Sequence, residues 1–162
     1  MIDDQPCVAQ DDPHRLSVLP RGVAERRGLL VYKLASELFV RMTPVFEELG
    51  IDGRDYSLLA VLSNDAPGSQ AELARLCSLL PAQLVPVLDA LERDGLVERR
   101  RDERDRRRII VRITEPGRAR LAQADAAART IEDELLGTLD DEALGRLEAG
   151  FREALGARAP VA

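Results

Sequence analysis

The sequence predicts a mainly α-helical fold carrying one small β-hairpin, and three observations predict it. Leu and Ala dominate the apolar residues, aromatic residues are only 3% and Trp is absent, so the core must be aliphatic and helix-favouring. Apolar residues recur at steps of three and four through most of the chain. Residues 96–113 break that rhythm: two strand-like runs flank a tip made wholly of charged residues. A chain of 162 residues has room for one domain, or for a small domain with a helical extension.

Residues 1–20 are polar and contain Pro6, Pro13 and Pro20, the composition of a loosely docked N-terminal tail. Residues 21–50 read as one long helix, with Val31, Leu34, Leu38, Met42, Val45 and Leu49 on its apolar stripe. Pro44 should bend it, and Gly50 stops it. Asp52 is placed to cap a second helix over 53–64, which buries Leu58, Leu59 and Leu62. Residues 65–68 form a turn. Ser69 and Glu72 then have the spacing of a capping box, opening a short helix that buries Leu73, Leu76 and Cys77.

Pro81 opens a fourth helix whose stripe is Leu84, Val87, Leu88 and Leu91. Gly95 ends it as a left-handed residue. Two short helices joined by a tight turn fit a helix-turn-helix. The runs Leu96–Arg101 and Arg108–Ile113, around the charged tip 102–107, fit a hairpin beside it, which makes 51–114 a winged helix-turn-helix. Thr114 caps a long helix to about residue 137, with a seam of Ala124, Ala128, Ile131 and Leu135. A last helix from Asp140 carries Leu144, Leu147, Phe151 and Leu155. Both seams are narrow, as in coiled coils. Residues 115–157 are therefore expected to pack on a partner chain and on the first helix, forming a helical dimerisation region with 21–50.

The net charge is −6, but nucleic-acid binding depends on how charge is distributed. Seven arginines (99, 100, 101, 104, 106, 107 and 108) crowd residues 99–108, while acid concentrates at the termini and over 125–153. A basic spot on an acidic body suits a protein that grips phosphate at one place. Cys7 and Cys77 make no disulfide framework and no zinc spacing. The acidic N-terminus does not read as a signal peptide, and no apolar run approaches membrane-spanning length; a soluble, cytoplasmic protein with no membrane partner is expected. A single His, His14, no Gly-rich phosphate loop and no clustered ligands leave no catalytic, metal or cofactor site apparent.

The local sequences Leu73-Ala74-x-Leu76, Leu91-Glu92-x-x-Gly95-Leu96-Val97, Asp105-Arg106-Arg107 and Ile113-Thr114-x-x-Gly117 resemble, in order and spacing, the signature of the MarR family. The resemblance covers roughly residues 23–155. It implies a two-fold homodimer held by the first, fifth and sixth helices, bound to a pseudo-palindromic double-stranded DNA operator. The fourth helix would enter the major groove and the wing tip the minor groove. It also implies a regulator, often a repressor, released by a small, often phenolic, molecule.

On that reading the DNA-facing residues are Ser69, Gln70, Ala82, Gln83, Val85, Pro86 and Arg93, with Arg104, Arg106 and Arg107 in the wing. Gln83 is the one side chain there suited to pairing with adenine, and the apolar groups could touch thymine methyls. Asp105 and Arg107 match a family wing salt bridge. Tyr32, Phe39, Arg41 and Tyr56 are the aromatic or cationic candidates for an effector pocket between the first, second and fifth helices, set against simple packing. The family's organic-hydroperoxide regulators share a proline like Pro86. They carry a reactive Cys near the start of the first helix, where this chain has Arg26-Arg27-Gly28-Leu29, so that redox mechanism does not carry over. Two alternatives stand beside the DNA-binding reading: a winged-helix module that binds protein, and a thiol-based redox regulator using Cys7 or Cys77.

Overall fold

Leucine spacing builds the core. In the computed structural model, which describes residues 19–65, 69–101 and 109–156, the elements run α1 (Arg21–Ala24), α2 (Arg27–Glu48), α3 (Gly53–Asn64), α4 (Gln70–Leu76), α5 (Pro81–Arg93), β1 (Val97–Arg101), β2 (Ile109–Ile113), α6 (Glu115–Leu136) and α7 (Asp141–Ala154). Leu58, Leu59, Leu73, Leu84, Leu88 and Leu91 are almost fully buried together. Each such side chain contributes about 1.5–3 kcal/mol over its exposed state.

Side-chain caps start the helices where the sequence places them. Asp52 accepts from the amides of Arg54 and Asp55, and Asp55 returns the bond to the Asp52 amide at 2.9 Å. Burial disfavours charge on the Asp52 carboxyl, yet Arg54 and the two amides hold it below the usual carboxylate range. Ser69 Oγ accepts from Glu72, Thr114 Oγ1 from Gly117 and Asp140 Oδ1 from Ala143.

The single first helix expected over 21–50 is two pieces. Arg26 adopts an extended conformation (φ −124°, ψ 108°) between α1 and α2. The apolar stripe begins only at Val31, so nothing packs the earlier turns into register, and Arg26 Nη1 satisfies the Gly22 carbonyl at 2.6 Å. Helix α2 runs through Pro44, with Thr43 Oγ1 donating to the Phe39 carbonyl at 2.8 Å. Its C-terminus is tied to α6, where the Arg120 guanidinium donates to the Leu49 carbonyl.

The seam of Ala124, Ala128 and Ile131 is buried within its own chain. It closes the core against α2 and α3, so these residues are not free to form a dimer seam. The heptad-like spacing is there because small residues let α6 approach α2 and α3 closely. Leu135 is half-buried. Helix α7 differs: it has no buried residue and packs little against the rest of the chain.

Candidate nucleic-acid interface

The helix-turn-helix is closed by a residue in an unfavourable conformation. After α4 the chain turns at Ser78, with φ +54°, and the Leu79 amide reaches back to the Ala74 carbonyl at 2.8 Å. This six-to-one bond is the helix-ending arrangement normally given to glycine. It swings the chain into α5. There Leu84, Val87, Leu88 and Leu91 face inward while Ala82, Gln83, Val85, Pro86, Asp89 and Arg93 are exposed, as the helical period predicted. Ser69 and Gln70 sit half-buried at the start of α4.

Gln83 is already engaged. Its Oε1 accepts from the Leu80 amide at 2.9 Å, satisfying a backbone donor at the open end of α5. Bidentate pairing with adenine needs that same oxygen. The predicted contact therefore has to share that oxygen with the cap or open it.

The hairpin is antiparallel, with Val97 opposite Ile113, Arg99 opposite Val111 and Arg101 opposite Ile109. Val97, Val111 and Ile113 are buried while Arg101 and Ile109 are exposed, so the ladder is rooted at its base and emerges towards the tip. Arg104, Asp105, Arg106 and Arg107 lie outside the described residues, as do Cys7 and His14.

Sequence reasoning counted Arg99 and Arg100 in the basic spot, but both are paired. Arg99 donates to Asp89 Oδ1 and Glu92 Oε2, each at 2.6 Å, and its amide donates to Glu92 Oε1 at 3.0 Å. Only 20% of its side chain is exposed. It pins β1 to α5 and offsets one of the two negative charges that Asp89 and Glu92 place on the helix. Arg100 pairs with Glu98 at 2.7 Å. Arg75 and Arg93 are exposed and form no ion pair among the described residues.

A second device joins α5 to α6. Gly95 takes φ +71°, and its carbonyl accepts from Thr114 Oγ1 at 2.6 Å. The Leu96 carbonyl accepts from the Thr114 amide at 3.1 Å. A Cβ on Gly117 would lie 2.0 Å from that carbonyl oxygen and 2.8 Å from the Ile113 side chain. Gly95, Thr114 and Gly117 thus form one joint between the end of α5, the base of the hairpin and the start of α6. Two of the sequence motifs meet there.

The four pocket candidates separate. A cavity of about 330 Å³ lies between α2 and the start of α3, lined by Phe39, Thr43, Glu47, Ile51 and 52–54. Of the four, only Phe39 lines it, and α6 takes no part. Tyr56 instead packs on Phe46, ring centroids 5.0 Å apart, and donates to Asp125 Oδ1 at 2.8 Å. Burial, then that bond, push its hydroxyl pKa up to about 12. Arg41 is half-buried and Tyr32 is 71% exposed. Cys77 is half-buried, and burial raises its thiol pKa, which disfavours the reactive thiolate.

Comparison with known proteins agrees with this architecture. The MarR family profile matches residues 54–109. The transcriptional repressor NicR of Pseudomonas putida is 31% identical over 122 residues, 73% of this chain and 75% of the relative. The chain belongs to the MarR family. A structure of the repressor CouR bound to a 23-mer DNA duplex is 28% identical, with a TM-score of 0.75 over 86% of this chain and 99% of that one. CouR from Rhodococcus jostii RHA1 bound to p-coumaroyl-CoA shares the fold at 24% identity, with a TM-score of 0.73 over 83% and 95% of the two chains. In this MarR-family chain, α4 and α5 are the helix-turn-helix and β1–β2 the wing. No single helix among the described residues is long and apolar enough to cross a membrane.

Proposed function

We propose that the chain is a double-stranded DNA-binding transcriptional repressor, acting in the cytoplasm as a homodimer on a pseudo-palindromic operator and not as an enzyme. One observation carries the reading: in a MarR-family chain, α5 presents an exposed outer face on which Arg99 ties down and partly offsets the two carboxylates Asp89 and Glu92. Helix α5 enters the major groove. Arg93 on α5 and Arg104, Arg106 and Arg107 in the wing meet phosphate and the minor groove, where narrow tracts attract arginine. Ser69 and Gln70, at the start of α4, meet the backbone.

The uncovered α7, with Leu144, Leu147 and Phe151 on one side, and the exposed Leu29, Leu30, Val31 and Tyr32 of α2 support dimerisation. A small aromatic, phenolic ligand in the cavity beside Phe39 releases DNA; its volume is at the lower end for ligand pockets. The decisive experiment is a mobility shift with the DNA upstream of the protein's own gene. A shifted band that resists random competitor supports the reading, and equal competition by random duplex defeats it. The ligand arm adds phenolic acids to the preformed complex: release from the native protein, and weaker release from Phe39→Ala, is the expected pattern.

A further inference from the structure

From Pro81 to Asp89, the outer face of α5 engages its polar side chains with the protein itself. Gln83 lends its oxygen to the Leu80 amide. The Asp89 carboxylate is held by Arg99. Between and beside them Ala82, Val85 and Pro86, at i, i+3 and i+4, make one continuous exposed stripe, and Val85 is 48% exposed. Pro86 lacks an amide hydrogen and presents its ring. Leu80, 67% exposed, stands at the mouth of the helix. An apolar stripe on a monomer surface is commonly incidental, but the polar side chains flanking this one, Gln83 and Asp89, are engaged within the protein, and the exposed Arg93 lies two turns further along the helix.

A major groove offers such a stripe one partner. Its base edges are donors and acceptors except for the 5-methyl group of thymine. We infer that α5 reads sequence by packing Ala82, Val85 and Pro86 against thymine methyls, with Val85 and Pro86 as the specificity-determining residues. The inference rests on the DNA-binding reading above and adds what that reading leaves open, the chemical group that is recognised. Phosphate contacts set affinity, and the methyl pattern sets register.

Deoxyuridine tests this directly, because it removes the methyl and leaves every hydrogen-bonding group of the base in place. The full chain selects a duplex from a random pool, and each thymine of that duplex is then replaced in turn. Two or more substitutions per half-site should each weaken binding about fourfold, the factor that burying one methyl-sized group supplies. Val85→Ala should bind the parent duplex more weakly and no longer distinguish thymine from uracil at one of those positions. Pro86→Ala should do the same at another while raising the melting temperature, since proline is unfavourable inside a helix. A protein damaged in its fold would not gain stability and lose discrimination together. The slope of binding against salt should stay unchanged in both variants.

Equal binding of thymine and uracil duplexes overturns the inference. So does discrimination that survives both substitutions, or that disappears in Gln83→Ala alone, which would show that Gln83 leaves its cap to read a base. A chain that selects no duplex at all fails earlier, at the DNA-binding reading itself.

Discussion

At Gly117 a single hydrogen atom separates a packed joint from a clash. Gly117→Ala forces a Cβ into the Leu96 carbonyl, which is backbone and not a flexible side chain. We expect it to destabilise the fold by about 1–3 kcal/mol or more, read as a lowered melting temperature. Gly95→Ala meets no neighbour within 4 Å and should cost only the left-handed backbone, about 1–2 kcal/mol. Tyr56 supplies a pH dependence. In the unfolded chain its hydroxyl loses its proton near pH 10 and in the fold near 12. The stability from keeping that proton is therefore complete below pH 10 and lost as pH rises from 10 to 12. Alkaline denaturation of Tyr56→Phe should lack this component; an unchanged pH profile would refute the assignment.

Element by element, what the sequence disclosed depended on whether residue type alone decides the outcome. The stripe Leu84, Val87, Leu88, Leu91 was legible because burial repeats with the helical period. Asp52, Thr114 and Asp140 were legible because short polar side chains are the natural N-caps. The break at Arg26 falls between Gly22 and Gly28, but neither stands at the break itself, and a glycine near a helix end does not by itself say where the chain parts. The seam Ala124, Ala128, Ile131 was visible as a seam, but spacing does not say which surface covers it, and the chain's own α2 and α3 do. The engagements of Gln83 and Arg99 were not legible for a shared reason: their partners, the Leu80 amide and Asp89 with Glu92, are set by how a turn and a hairpin fold back. This gives a prediction for the unit of α5 and the hairpin. Arg99→Gln should weaken DNA binding, since it leaves Asp89 and Glu92 near phosphate with no positive charge beside them. Adding Asp89→Asn and Glu92→Gln to it should restore much of the affinity in the same titration. For the wing, Arg104→Ala with Arg106→Ala should make the slope of log K against log salt shallower by roughly one unit per lost phosphate contact.

At the scale of the molecule, the described residues away from the helix-turn-helix expose apolar surface along the first half of α2 and on and beside α7, at Leu139, Phe151 and Leu155. Leu147→Asp or Phe151→Asp should shift the protein from dimer to monomer in light scattering at micromolar concentration. The melting temperature of the core should change little, because α7 contributes no buried residue to it. Weaker operator binding should follow, since two half-sites on one face of the duplex must be held about one helical turn, or a multiple of it, apart. Inserting half a turn between them should cost more than most single-base changes. A native chain that is monomeric at those concentrations would remove the basis for both expectations.

The joint at Gly95, Thr114 and Gly117 also has a mechanical meaning. It fastens the end of α5 to the first turn of α6, so the two swing as one lever. Helix α6 has 22 residues, an arm of about 33 Å. A tilt of about 5° pivoting near Leu136 displaces the joint by about 3 Å over that arm, roughly the 3.4 Å rise of one base pair. A small angular adjustment far from the duplex is thereby geared up into a whole step of misregistration at the half-site.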